Sequence, residues 1–252
     1  MKNIIFICQT VDNNDPLLAV SVDWIREFSY RPEIENVMVI ALRAGEFSLP
    51  DNVTVKTIKG SNSLITAINF YKEILKNLKK SDSYFIHMGG PYPALLLPFR
   101  LFFGKKVYQW NTHSYIRPLM KFQAWFCLDK IFTATSKSFA MSLKKVKVIG
   151  HGIDIDLFRP HQLSKQFDII TTGRFSPIKK LDKILRLIYL YKKTFNKDLT
   201  ANFYGPLEGS QKFKNNLDNY RDKLGLNDNV LFKGSVNRDK IPELLNQHKI
   251  FI

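Results

Sequence analysis

The sequence predicts an α/β chain made of two doubly wound, mostly parallel sheets in succession, the second incomplete. Three observations carry that expectation. Short β-branched runs without polar alternation are each followed by an amphipathic stretch, the pattern of strands buried on both faces by crossover helices. That rhythm breaks once, over residues 150–166, where glycine, proline and polar residues gather, and then restarts. The chain stops at Lys249-Ile250-Phe251-Ile252, which reads as the first residues of a further buried strand with no helix after it to shield it.

In order, residues 2–8 read as a buried strand and 16–29 as the helix after it. Residues 37–42 and 53–58 are further strands, with Asp51-Asn52 as the turn between them. Over 64–78 the apolar residues Leu64, Ile65, Ile68, Tyr71, Ile74, Leu75 and Leu78 recur at helical spacing. Residues 83–88 form a strand ending in Gly89-Gly90-Pro91, which opens a Pro-rich helical segment. Strands follow at 105–110, 130–134 and 145–149, separated by helical stretches. After the break, strands at 167–172, 199–204 and 229–233 alternate with helices at 180–195, about 210 to 224, and 239–247.

Composition narrows the function classes. Hydrophobic residues make up 45% and charged residues 24%, the proportions of a globular protein with ample core, which argues against disorder. The two cysteines, Cys8 and Cys127, each sit in an apolar segment, so neither a disulfide framework nor a zinc site is expected and a reducing cytoplasm fits best. The apolar stretch Ile4 to Cys8 is too short for a signal peptide, and an acidic loop follows it instead of a cleavage site. The most hydrophobic run, 91–103, is interrupted by Pro93, Pro98 and Arg100 and cannot span a bilayer. The net charge of +16 is spread evenly: residues 1–160 hold 21 basic against 13 acidic side chains, and 161–252 hold 17 against 9. Such a charge favours phosphates, anionic lipid headgroups or nucleic acid; solvated lysine faces on helices give the same count.

Ligands of doubly wound sheets bind beyond the carboxyl ends of the strands. Four such loops are candidates. Thr172-Gly173-Arg174-Phe175-Ser176-Pro177-Ile178-Lys179-Lys180 joins a strand to a helix and supplies a glycine, two cations and a helix N-terminus, which together suit a diphosphate. An ordinary basic loop has the same composition. Trp110-Asn111-Thr112-His113 ends a strand, and His113 there can donate a hydrogen bond to a sugar hydroxyl or satisfy a backbone carbonyl. In His87-Met88-Gly89-Gly90-Pro91 the glycines permit close approach, while His87 lies within the strand and reads as core. Gly234-Ser235-Val236-Asn237 is a strand-to-helix loop able to border a nucleotide. The chain has no Walker loop, no GxGxxG after the first strand, no HExxH and no GxSxG elbow. Asp154-Ile155-Asp156 lies in the break, where a turn or cap is the expected role. No nucleic-acid module signature is present, so no nucleic-acid partner is expected.

Taken in order, these segments resemble the group 1 (family 4) retaining glycosyltransferases. Tyr84-Phe85-Ile86-His87 with Gly-Gly-Pro resembles the family's strand entering its acceptor cleft, and Lys106-Val107-Tyr108-Gln109-Trp110-Asn111-Thr112-His113 the strand ending in a threonine-histidine pair. Val148-Ile149-Gly150-His151-Gly152-Ile153-Asp154 through Phe158-Arg159-Pro160 resembles its hinge. Gly173-Arg174 with Lys179 resembles its donor loop, followed later by Val230-Leu231-Phe232-Lys233-Gly234. The likeness is weak before residue 80.

The resemblance implies a GT-B architecture of Rossmann-like domains: 1–150 on the acceptor side, 151–166 as link, and 167–252 as a partial nucleotide-sugar-binding domain. It implies sugar transfer from a nucleotide-sugar to a glycan or lipid-linked acceptor with retention. Arg174 and Lys179 would hold the donor diphosphate and stabilise the departing nucleotide. His113 would approach the transferred sugar, and Gly173, Gly234 and Val236 would border the donor. No metal or other cofactor is implied. His151 stands where the family has Asn, Lys180 where it has Gly, and the loop 9–19 lacks the usual glycine pair. The family's paired glutamates, a Glu-x7-Glu segment, would begin just past Ile252, so a C-terminally truncated, inactive chain is expected. A nucleotide-sugar epimerase of the same fold and a non-catalytic binding paralogue remain as alternatives. The basic surface and the apolar segment 95–103 suit a cytoplasmic protein docked at an anionic inner membrane face.

Overall fold

The computed structural model describes residues 1–208 and 211–252, which divide into two compact units, Met1–Gly152 and Ile153–Ile252. The first unit runs β1 (Lys2–Val11), α1 (Val20–Ser29), β2 (Ile34–Ala44), β3 (Val53–Thr57), α2 (Ser63–Asn77), β4 (Ser83–His87), α3 (Tyr92–Leu95), α4 (Leu97–Phe103), β5 (Lys106–Trp110), α5 (Pro118–Phe122), a π turn (Gln123–Cys127), β6 (Lys130–Thr133) and β7 (Val146–Val148). Its seven strands are ordered β3-β2-β1-β4-β5-β6-β7, every pairing parallel.

The lack of polar alternation in β1 has a direct cause. Ile5 and Ile7 point into one core and Phe6 and Cys8 into another, so successive side chains serve opposite faces of one sheet. β4 repeats this, with Tyr84 and Ile86 on the first face and Phe85 on the second. The first core is closed by Phe70 and Ile74 of α2, Tyr92, Leu96 and Phe99 of the α3–α4 segment, and Ala124 of the π turn. The second is closed by Val22 and Ile25 of α1. Both cysteines are free thiols and buried here, and burial raises the Cys8 thiol to about 12.

Two local departures from the sequence expectation have physical reasons. The first helix begins at Val20 instead of residue 16, because the Asp15 carboxylate accepts the amides of Leu17 at 2.9 Å and Leu18 at 2.8 Å and holds the chain in a turn. The helical period of α2 is as read, yet Leu64, Ile65, Ile68 and Leu75 are exposed and only Phe70 and Ile74 are fully buried.

The second unit runs β8 (Phe167–Thr172), a 3-10 turn (Pro177–Lys179), α6 (Leu181–Phe195), β9 (Ala201–Tyr204), α7 (Gln211–Lys223), β10 (Val230–Gly234), a 3-10 turn (Arg238–Lys240), α8 (Ile241–Gln247) and β11 (His248–Phe251). The start of α7 at about Ser210 lies outside the described residues. The sheet is ordered β10-β9-β8-β11, again parallel throughout. Leu181, Leu185 and Ile188, spaced four and three apart, turn one face of α6 onto Ile169, Ala201 and Phe203. β11 forms beside β8 as the reading of residues 249–252 expects, but at the edge of the sheet, where Ile250, Phe251 and Ile252 are exposed instead of buried. Residues 159–166 between the two patterns carry no helix or strand.

Candidate functional site

Strand order picks out one loop of the second unit. The chain lays β8, β9 and β10 outward in one direction and then returns to place β11 on the other side of β8. The reversal lies between β8 and β11, and a crevice opens at the carboxyl ends of strands where order reverses. The loop leaving β8 there is Gly173-Arg174-Phe175-Ser176.

That loop is built on glycines. Gly173 has φ +148°, a conformation reserved for glycine, and its amide donates to the Tyr204 carbonyl at 2.9 Å. Lys179 lies over it: a Cβ on Gly173 would stand 3.3 Å from the lysine Cε and 3.5 Å from its Nζ. Gly205, immediately after β9, has φ +149°, and a Cβ there would fall 1.8 Å from the Gly173 carbonyl oxygen. Its amide donates to the Gly234 carbonyl at 2.7 Å. Three glycines thus stand side by side across the ends of β8, β9 and β10, and the lack of a side chain on Gly205 lets the ends of β8 and β9 pack closely.

The loops after β8 and β9 are also zipped together. Phe175 donates its amide to Pro206 at 2.8 Å and accepts that of Glu208 at 3.1 Å. Its ring is buried against Phe232, centroids 5.7 Å apart. The neighbouring Ser176 hydroxyl is buried with no hydrogen-bond partner among the described residues. Arg174 forms an ion pair with Glu208, both side chains about half exposed. Lys180 follows at φ 52°, ψ 39°, the left-handed region, at the position before the first turn of α6, with no side-chain hydrogen bond to the helix N-terminus.

Gly173, Arg174 and Lys179 are therefore brought together with Gly234 through Gly205. Val236 stands half-buried in the loop beyond β10. Gly205 and Glu208 were not among the residues singled out from sequence. The signal for Gly205 was present, since Tyr204-Gly205-Pro206 ends a strand as the other two glycines do. Nothing local points to Glu208, which meets Arg174 from 34 positions away. Two cations and the N-terminus of a fifteen-residue helix can together neutralise a diphosphate.

In the first unit His113 follows β5. The buried Asn111 fixes it: the Asn111 amide donates to the Phe132 carbonyl at 2.9 Å, and its side-chain oxygen accepts the His113 amide at 2.9 Å. The His113 ring itself is exposed. Beneath it Trp110 is buried against Trp24, centroids 5.0 Å apart, and meets the ring of His151 edge-on at 5.5 Å. Met88, Gly89 and Gly90 all have φ near +64°, and a Cβ on Gly89 would lie 2.1 Å from the buried Gln109 side-chain nitrogen. His87 is core, as expected. It packs on Trp24, faces the Ser21 hydroxyl at 3.4 Å, and burial pushes its imidazole down to about 4. Among the described residues no group of three or more His, Cys, Asp or Glu could hold a metal ion.

Residues 154–252 match the family model described as glycosyl transferases group 1. No curated protein matches the chain. Among solved structures, a mutant of S. aureus TarM in complex with fondaparinux, α-GlcNAc-glycerol and UDP superposes with a TM-score of 0.64 at 12% identity, covering 100% of this chain and 80% of that one. A glycosyltransferase from Rickettsia africae gives 0.64 at 14%, covering 99% and 72%. The UDP-GlcNAc 2-epimerase of Methanocaldococcus jannaschii gives 0.59 at 13%, covering 100% and 78%. At these identities the likeness is one of fold, the α/β GT-B fold of parallel-sheet units.

Proposed function

We propose that this chain is a retaining glycosyltransferase of the group 1 kind, moving a sugar from a nucleotide-sugar to a glycan or lipid-linked acceptor. The observation that carries the reading is the loop after β8, where Lys179 lies over Gly173 and Arg174 stands beside it at the strand-order reversal. On this reading the two cations grip the donor diphosphate and neutralise the charge that develops on the departing nucleotide. Gly234 and Val236 border the nucleotide, and the His113 ring donates a hydrogen bond to the transferred sugar. Arg174 and Lys179 supply the positive charge that a metal ion would otherwise bring to the diphosphate, so donor binding is expected to be unchanged by EDTA. The family match over 154–252 supports the donor half of the reading, and the UDP bound to TarM supports the ligand class.

Calorimetric titration with UDP, GDP and ADP, each against its parent nucleoside, tests it. A charge-assisted contact contributes about 1.5–3 kcal/mol, so Arg174→Ala and Lys179→Ala are each expected to weaken diphosphate binding about ten- to a hundredfold. Glu208→Gln, which releases Arg174 from its ion pair, is expected to strengthen it up to about fivefold, the range of an exposed pair. Equal affinity for nucleoside and diphosphate, or unchanged affinity in both cation variants, would sink the reading. The epimerase reading is favoured by the fold likeness to the UDP-GlcNAc 2-epimerase. Incubation with donor alone separates the two, since only an epimerase returns a new nucleotide-sugar.

A further inference from the structure

The first unit carries an aromatic face that its own core does not use. α4, α5 and the π turn lie over the same face of the sheet and bury Phe99, Ala124 and Leu128 in it. Their outward residues are also apolar. Leu101, Phe102, Phe103, Phe122, Trp125 and Phe126 are all exposed, Phe102 by 81% and Trp125 by 58%. An open groove of about 330 Å³ runs between the two helical segments, lined by Leu97, Arg100, Leu101, Phe122, Trp125 and Phe126. The rings are ordered: Phe122 and Phe126 stand 5.4 Å apart, and Phe103 stacks on the buried Phe99 at 6.1 Å.

Lysines gather at one edge of this face. Gly104, left-handed at φ 63°, ends α4 and turns the chain into Lys105-Lys106. Lys105 donates its ammonium to the Ser81 carbonyl, which draws Lys79 and Lys80, just beyond α2, to the same place. Lys121 rises from α5, and Lys145 donates to the Trp125 carbonyl at 3.0 Å. Of the neighbouring carboxylates, Asp82 accepts the Asn3 amide at 2.7 Å, and Asp129 is engaged by Arg100, Lys106 and the Val107 amide, which hold it below the usual carboxylate range against its partial burial. Among the described residues no carboxylate lies within ion-pair distance of Lys79, Lys80, Lys105, Lys121 or Lys145.

We propose that this face docks on an anionic lipid bilayer, with the aromatic rings at the level of the headgroups and the lysines on the lipid phosphates. Exposed aromatic and leucine side chains beside uncompensated lysines combine the two signals that peripheral attachment needs, since neither alone holds a protein on a membrane. Phe and Trp on short, rigidly packed helices enter the interface without ordering a flexible segment. No described helix is long and apolar enough to cross a membrane, so the attachment is peripheral. A partner protein or a second copy of the chain would also cover apolar surface, but the unopposed lysines favour a polyanionic plane.

The test is sedimentation of the whole chain with vesicles of phosphatidylglycerol and phosphatidylcholine in equal parts, against phosphatidylcholine alone. Binding is expected only to the anionic vesicles and to fall as salt shortens the range of the lysine charges. The double variant Phe102→Ser, Trp125→Ser and the triple variant Lys79→Glu, Lys80→Glu, Lys105→Glu are each expected to lower the partition coefficient at least about tenfold. Both should keep the parent circular dichroism spectrum. Because Trp110 is buried and Trp24 is packed against the core, away from the aromatic face, the blue shift of emission on binding belongs to Trp125 and is expected to vanish in Trp125→Phe even if the other variants fold poorly. Equal partition onto neutral vesicles, no binding at low salt, or a Trp125 shift that survives the substitution overturns the proposal. So does a dimer in light scattering that the Phe102, Trp125 variant dissolves.

Discussion

Lys180 occupies a backbone conformation that suits another residue. At φ 52°, ψ 39° its Cβ crowds the following carbonyl, a strain of about 1 kcal/mol that glycine does not feel. The side chain is exposed and makes no cap to α6, so Lys180→Gly is expected to stabilise the second unit by up to about 1 kcal/mol in urea unfolding followed by circular dichroism. His87 shows a different residue-scale effect. Folding lowers its imidazole to about 4 by burial, against roughly 6.5 in the unfolded chain. Above pH 6.5 both states are neutral. Between 6.5 and 4 the unfolded state takes up a proton that the folded state refuses, so stability falls on acidification, by about 3 kcal/mol at pH 4. The groups facing the ring are the Ser21 hydroxyl, Trp24 and Phe6, none of which offsets the charge. Tryptophan-detected unfolding across that pH range should show the slope, and His87→Gln should flatten it.

At the scale of elements, the parallel strands set their own tolerances through the loops that leave them. Gly205 and Gly234 end adjacent strands with positive φ, yet they differ in what surrounds them. A methyl on Gly205 meets the Gly173 carbonyl at 1.8 Å, whereas one on Gly234 meets nothing within 4 Å. Gly205→Ala must therefore displace the β8 loop as well as strain its own backbone, and is expected to cost about 3 kcal/mol. Gly234→Ala carries the backbone term alone, about 1 kcal/mol. Thermal unfolding of the two variants checks the difference. Equal costs would mean that Gly205 and Gly173 do not pack as closely as described. The same pair separates structure from binding, since a shifted β8 loop carries Arg174 with it.

At the scale of the whole molecule, the chain holds separate cores. Those on either side of the first sheet draw only on residues up to Met141, Leu143 and Val146, and the core of the second begins at Ile169. All three tryptophans and both cysteines belong to the first unit. Tryptophan emission and thiol reactivity therefore report that unit alone, while circular dichroism reports both. Urea unfolding is expected to give non-coincident curves by the two optical probes, with Cys8 and Cys127 becoming reactive along the tryptophan transition. A single shared midpoint in both probes would show instead that the units unfold as one.

What the sequence determined by itself is what local spacing can encode. The recurrence of apolar residues three and four positions apart along α6, the unbroken apolar runs of β1 and β4, and the glycine-arginine loop leaving β8 all follow from neighbours within a few positions. Those elements formed where periodicity placed them, and the α/β class followed. Tertiary structure alone decided the rest. The order of strands put the reversal beside β8 and placed β11 at an edge of the sheet, where Ile250 and Phe251 are exposed. Packing, not periodicity, chose Phe70 and Ile74 as the buried residues of α2 and left Leu64 and Leu75 outside. Glu208 reached Arg174, and Gly205 reached Gly173, only because parallel strands bring the ends of distant segments into contact. Periodicity fixes which face of an element is apolar, but which neighbour covers that face is a long-range choice made when the sheet assembles.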